Sequence, residues 1–255
     1  MSLSEHWERH AAEWTRWAGE PGHDSYWRFH RDRFLELLPR PGRLTLDVGC
    51  GEGRLARDLK ERGHNVRAFD ASPALVEAAR SADPSLDVAQ ADAGALPLED
   101  GATDLVVSFM VLMNVDDLES VVSEAARVLE PGGRFCIAIT HPINTAGEFE
   151  AREPDSPFVI RESYFELHRK DLRAERGGLT MNFVDLHRPL QDYARALEEA
   201  GYVIERIREI GDEEDPPQHQ SQLRWRRLPL FCTSAPSCPS PRGLVYRRGH
   251  GLLDL

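Results

Sequence analysis

The sequence predicts an α/β fold, a doubly wound and mostly parallel sheet covered by helices on both faces. Three observations predict it. Short apolar runs alternate with amphipathic stretches between residues 43 and 140. Glycine- and proline-bearing turns separate them. The apolar runs are nearly continuous, as in strands buried on both faces, whereas half-exposed strands alternate. With 255 residues the chain has room for one large domain and a small elaboration.

Residues 1–40 read as helical and rich in aromatics, with Trp7, Trp14, Trp17, Tyr26, Trp27, Phe29 and Phe34. Pro21-Gly22 divides them, and Pro39-Arg40-Pro41-Gly42 ends the second segment. Arg43–Asp47 reads as a strand and Arg54–Arg62 as a helix, with Gly63 suited to the position just past its end. Asn65–Asp70 is the second strand. Ser72 caps the next helix and Pro73 opens it, with its end near Ala82. Leu86–Gln90 and Asp104–Phe109 are the third and fourth strands. Between Asp117 and Glu130, Leu118, Val121, Val122, Ala125 and Leu129 form one helical stripe. Pro131-Gly132-Gly133 stops it, and Arg134–Thr140 is the fifth strand.

The pattern changes after His141-Pro142. Residues 143–160 read as loop, and 162–173 and 179–188 as strands of a hairpin around Gly177-Gly178. An amphipathic helix carrying Leu190, Tyr193, Ala194, Leu197 and Ala200 follows, closed by Gly201. Tyr202–Glu209 and Leu228–Cys232 complete a seven-stranded sheet. From Thr233 the chain is rich in Ser, Pro, Cys and Arg without periodicity and reads as an irregular tail. The expected organisation is therefore a helical lid at 1–40, a main domain at 41–232 with an insertion at 143–188, and a tail at 233–255.

Lys and Arg number 31 against 43 Asp and Glu, a formal charge of −12. Such a chain is ill suited to binding through phosphate contacts. Arg224-Trp225-Arg226-Arg227 reads as a solvated strand edge rather than a nucleic-acid patch. No apolar run reaches the roughly 18–20 residues of a membrane span. The first residues lack the apolar centre of a signal peptide. Cys50, Cys136, Cys232 and Cys238 have neither metal-ligand spacing nor the density of a disulfide scaffold, so a reducing, cytoplasmic setting and no metal are expected.

Leu46-Asp47-Val48-Gly49-Cys50-Gly51-Glu52-Gly53 carries the most chemistry. A strand ending in an acid runs into a GxGxG turn, where a backbone without Cβ atoms admits a ligand closely. The following helix N-terminus offers unpaired N–H groups. Dinucleotide-binding domains use a similar turn, but in the form GxGxxG and without an acid just before it. Asp47 favours a ligand with an amine. Asp70, at the end of the second strand, is placed to accept both hydroxyls of a ribose, and Asp92, past the third, to accept from an adenine amino group.

These segments, together with Asp104–Met110 and Arg127-Val128-Leu129-Glu130-Pro131-Gly132-Gly133, resemble class I S-adenosylmethionine (SAM) dependent methyltransferases of the type 11 group. The likeness covers roughly residues 40–140, and His187–Tyr193 with Ala200-Gly201-Tyr202 resembles the later half of such enzymes. It implies a Rossmann-like fold and SAM as cofactor, with S-adenosylhomocysteine as product. It implies that Asp47, Gly49 and Gly51 line the methionine moiety and that Asp70, with Ala71 beside it, holds the ribose. Asp92 and Ala93 then lie at the adenine, with Ser108, Phe109 and Met110 flanking the cofactor. The aromatic segment itself reads as a lid over the cofactor, from which Trp14 and Trp17 could touch the sulfonium or cap an apolar acceptor.

The base-directed Asn-Pro-Pro-Tyr and Asp-Pro-Pro-Tyr motifs do not occur, and the stretch beyond Phe231 lacks the aliphatic run of a strong final strand. Methyl transfer asks a protein mainly to align groups and exclude water, with a base for some acceptors. His141, directly after the fifth strand, and His187, at the end of the hairpin, are the expected bases. The expected acceptor is the O or N of a small molecule, bound by a monomer or homodimer without nucleic acid or membrane. Nucleic-acid methylation and non-catalytic SAM binding are the alternatives.

Overall fold

The computed structural model describes residues 1–213 and 216–237. Helix α1 (Leu3–Gly19) begins with a capping box in which Ser2 and Glu5 satisfy each other's backbone N–H groups. A π-helical turn over Tyr26–His30 leads into α2 (Arg31–Leu35). The chain then alternates through β1 (Thr45–Val48), α3 (Arg54–Glu61), β2 (Val66–Asp70), α4 (Pro73–Ala82), β3 (Asp87–Gln90) and β4 (Thr103–Phe109). Helix α5 (Leu118–Val128) and β5 (Leu129–Thr140) follow. Ser72 accepts from Leu75 N, a cap worth about 1 kcal/mol, and Pro73 fills the first helical position as its sequence suggests.

Residues 143–160 are more structured than the sequence suggests. Pro142–Ala146 form a short helix, α6, and β6 (Gly147–Phe149) pairs with β7 (Phe158–Ile160). Trp225 packs edge-on to Phe149 at 4.7 Å, a contact between distant segments that local periodicity does not reveal. The hairpin consists of β8 (His168–Arg176) and β9 (Leu179–His187), so its first strand starts six residues later than expected. Helix α7 (Leu190–Glu199) and β10 (Val203–Ile210) follow.

The last strand, β11, spans Phe231–Ser237, not Leu228–Cys232, so the expected irregular tail is ordered strand over its first five residues. It lies between β10 and β5 and is antiparallel to both. Ladder hydrogen bonds on both edges and the small buried residues Cys232 and Ala235 replace the missing aliphatic run. The remainder of the expected tail, with Cys238, lies outside the described residues. Arg224–Arg227 belong to a 3₁₀ helix over Gln220–Arg227, and there is no strand edge there. Arg224 donates to Arg152 O, and Arg227 to Pro154 O and Ser156 O, which ties this helix to the insertion.

The seven strands lie in the order β10-β11-β5-β4-β1-β2-β3, with β3, β2, β1, β4 and β5 mutually parallel. Alternate residues feed two cores, as strand geometry requires. Leu46, Val48, Val106, Phe135 and Ile137 pack against α5 and α7. Val66, Ala68, Leu105, Val107 and Ala138 pack against α2, α3 and α4. No helix among the described residues is long and apolar enough to cross a membrane.

Candidate functional site

A cavity of about 780 Å³ opens where β1–β5 end. In open α/β sheets that edge is where ligands collect, because the strand order reverses there. The turn residues Gly49 to Glu52 form its floor, Ser4, Trp7 and Trp14 come in from α1, and Leu172 and Phe183 close it from the hairpin. Trp14 and Trp17 meet Phe183 edge to face at 6.1 and 5.8 Å, which joins helix and hairpin over the sheet edge. Trp17 packs behind this wall, against His23.

Asp47 is 1 % exposed, and its Oδ2 has no partner among the described residues. Burial, then the charges of Asp70 and Glu52, push its carboxyl up to about 8, against a hydrogen bond from the Ala56 backbone. Such a group is costly unless a cation meets it. Asp70 accepts from Gly51 N at 2.8 Å and Ser72 N at 2.9 Å, so its carboxylate braces the turn it faces. Burial raises its pKa. A Cβ on Gly51 would come within 3.3 Å of Trp14 Nε1, in a backbone with φ of +58°. On Gly49 it would strike Val111 at 2.5 Å.

Met110 follows β4 with φ of +62°, the one non-glycine residue in the left-handed region among those described. Its N–H donates to Ala138 O at 2.7 Å, which holds this costly conformation at the cavity wall. Asp92 is fixed by accepting from Gly94 N at 2.8 Å.

Of the sequence-derived cofactor residues, the cavity brings together Trp14, Asp47, Gly49, Gly51, Asp70, Ala71, Asp92, Ala93, Phe109 and Met110. Ser108 is not among its lining: it is buried in the sheet, and its Oγ has no partner among the described residues. The two histidines expected as bases are also elsewhere. His141 caps α6, accepting from Ile143 N through Nδ1, and its Nε2 lies 2.9 Å from Glu209 Oε1. His187 is fully buried, its Nδ1 at 2.7 Å from Thr145 Oγ1 and its Nε2 at 2.8 Å from Tyr164 O. Both ring nitrogens are thus engaged in holding the insertion, and burial lowers the pKa of each histidine. The wall beside them is made by Thr140, Asn144 and Thr145.

Sequence reasoning missed several residues that shape the site. Glu52 accepts from Trp14 Nε1 at 3.2 Å. Arg54 lies 4.2 Å from the Tyr26 ring centre and 4.9 Å from that of Trp14, and donates to Asp24 at 2.6 Å. Glu52 and Arg54 sit in or beside the glycine turn, which is the one local signal that could have flagged them. His30 is buried against Phe231 at 4.0 Å, and burial lowers its pKa to about 3, so the ring is neutral.

The methyltransferase-domain family matches residues 46–137, which hold the turn, Asp70, Asp92 and Met110. Those residues are a class I SAM-dependent methyltransferase domain. The chain is 34 % identical over 141 residues to a "probable S-adenosylmethionine-dependent methyltransferase" of Mycolicibacterium smegmatis, covering 54 % of each chain. It is 34 % identical over 127 residues to a malonyl-[acyl-carrier protein] O-methyltransferase of Serratia marcescens, covering 48 % of this chain and 49 % of that protein. The chain thus spans about half the length of these curated relatives. A SAM-dependent methyltransferase structure from Mesorhizobium loti superposes with a TM-score of 0.67 at 24 % identity, over 84 % of this chain and 98 % of that one, and shares the fold.

The methyltransferase domain fits SAM on its own geometry. Asp47 Oδ2 lacks the cation that SAM's ammonium would supply, and Glu52 and Asp70 add negative charge to the same wall.

Proposed function

We propose that this protein transfers the methyl group of SAM to an oxygen or nitrogen of a small molecule, in the cytoplasm and without nucleic acid or membrane. The observation that carries this reading is the buried, unpartnered Asp47 Oδ2 beside a turn that side chains would obstruct. SAM, when bound, supplies an electrophilic methyl on a sulfonium. Asp47 would hold the amino group, Asp70 the ribose and Asp92 the adenine. Phe109 and Met110 would flank the cofactor. Trp7 and Trp14, on a lid formed by residues 1–40, would exclude water.

A cavity closed by α1 and the hairpin suits a small acceptor better than a tRNA, and the net charge of −12 points the same way. The Serratia relative's printed name, an O-methyltransferase, supports transfer to oxygen. Cys50, Cys136 and Cys232 are free and buried, which accords with a reducing compartment.

Transfer from methyl-labelled SAM to a metabolite extract and to bulk tRNA, run in parallel, tests this reading. Label in the small-molecule fraction is expected. Label in RNA alone, or SAM binding without transfer to either, contradicts it.

A further inference from the structure

The inserted hairpin presents a graded stripe to the cavity. In its register Lys170 pairs with Asp185 and Leu172 with Phe183. Residues two apart on a strand share a face, and all four of these line the cavity. The stripe therefore runs from an apolar pair, beside Trp14, to a charged pair.

That charged pair does not neutralise itself. The Asp185 carboxylate accepts from Asn114 Nδ2 at 2.9 Å and from Thr140 Oγ1 at 3.2 Å, which draws it toward the ends of β4 and β5. Lys170 forms no ion pair among the described residues, although its backbone lies directly across from Asp185. Arg54, the other cation lining the cavity, is tied to Asp24. Among the described residues Lys170 is thus the lining cation left for a ligand. The acids Asp47, Glu52 and Asp70 line the glycine-turn side of the cavity, and Asp92, Asp116 and Asp117 line it as well, so an anionic group placed away from Lys170 would be repelled.

We infer that Lys170 and Asp185 select the methyl acceptor: a small molecule with an apolar body, an anionic group paired with Lys170, and a hydroxyl or amine that hydrogen-bonds to Asp185. The apolar body lies on Leu172 and Phe183. Asp185, anchored to Asn114 and Thr140, holds the protic group at the ends of β4 and β5, beside the left-handed Met110. Burial raises the pKa of Asp185, and the hydrogen bonds from Asn114 and Thr140 oppose that rise.

This inference rests on the methyl-transfer reading, so S-adenosylhomocysteine binding is measured first by calorimetry. Failure there contradicts the functional reading rather than the selectivity. The saturated complex is then titrated with three probes that share a phenol and differ at the other end: 4-hydroxyphenylacetate, neutral 4-hydroxyphenethyl alcohol and cationic tyramine. The acid is expected to bind about tenfold more tightly than the amine, with the alcohol between them. Lys170→Met should reduce that preference to less than about twofold, and Asp185→Asn should weaken the acid by about tenfold. Both variants should keep S-adenosylhomocysteine affinity within about twofold, which shows that they fold. Equal or tighter binding of the amine, no binding of any probe, or a preference that survives Lys170→Met overturns the inference. Unchanged binding in Asp185→Asn overturns the role of Asp185.

Discussion

Trp14 Nε1 donates to Glu52 Oε2 at 3.2 Å, so the first helix of the chain is fastened directly to the glycine turn. The two residues are 38 positions apart. Arg54 reinforces the join by lying against the Trp14 ring while it pairs with Asp24. At Trp14 this wall of the cavity is therefore held by a hydrogen bond and a buried cation, beside the edge-to-face contact with Phe183. Trp14→Phe keeps the ring and removes the hydrogen bond, a loss of roughly 1.5–3 kcal/mol for a bond to a charged group. Residues 3–19 should then exchange amide hydrogen faster while the sheet does not, and SAM affinity should fall about tenfold or more. Unchanged exchange in α1 would show that other contacts hold the wall.

The two glycines of the turn should respond differently to alanine. At Gly49 the new Cβ meets Val111 at 2.5 Å in a left-handed backbone, so clash adds to conformational strain. About 1–2 kcal/mol of strain plus roughly 1–3 kcal/mol of overpacking is expected. At Gly51 the nearest atom is Trp14 Nε1 at 3.3 Å, so Gly51→Ala should lose only about 1–2 kcal/mol by urea denaturation. Because its Cβ projects into the cofactor end, Gly51→Ala should nonetheless lose SAM binding. Normal affinity in that variant would place the ligand elsewhere.

Glu124 secures the chain just after the wall of the cavity formed by residues 92–95. Its carboxylate accepts from Leu96 N at 2.6 Å and from Arg127 at 2.6 and 2.7 Å, and Arg127 also donates to Leu96 O and Leu98 O. The Arg127 hydrogen bond lowers the pKa of Glu124 below 4.5. Its folded-state pKa being depressed, its stabilisation is present above pH 4.5 and is lost as pH falls through the lowered value. Glu124→Ala leaves the buried Leu96 N–H unpaired and should cost about 1–3 kcal/mol at pH 7, less near pH 3. A cost independent of pH would contradict the ionic part of this account.

Residues whose role is local were legible in the sequence. The glycine turn, Asp47, Asp70 and the Ser72–Pro73 helix start follow from strand ends, turns and caps. Each needs only a few neighbouring positions. The acceptor side was not legible in this way. Lys170 and Asp185 meet only through hairpin register, and Asp185 takes its orientation from Asn114 and Thr140, far off in sequence. His141 and His187 stood out by residue type and position along the chain. Which way each ring faces is decided by Glu209, Thr145 and Tyr164, which no local pattern announces. The last strand was hidden because its place in the sheet is set by pairing on both edges and not by its own hydrophobicity.

Asp47 gives the unliganded protein a pH dependence of its own. A carboxyl raised from 3.8 to about 8 contributes stability that is complete below pH 3.8 and is lost as pH rises through about 8. Asp47→Asn should therefore resist urea better than the parent at pH 8 in the absence of ligand, with little difference near pH 4. A variant less stable than the parent at pH 8 would show that Asp47 Oδ2 already meets a cation.

Calorimetric titration of SAM into the protein and into Asp47→Asn at pH 6, 7 and 8 tests the central claim most directly. To meet an ammonium below pH 8, Asp47 must give up a proton, so affinity should rise about tenfold per unit between pH 6 and 8. The rise should end where the ligand's own amino group titrates, roughly pH 8. Asp47→Asn should bind SAM at least about tenfold more weakly at pH 8 and lose the rise. SAM bound equally well by both proteins at pH 8, or an affinity in the parent that does not change with pH, would contradict the account.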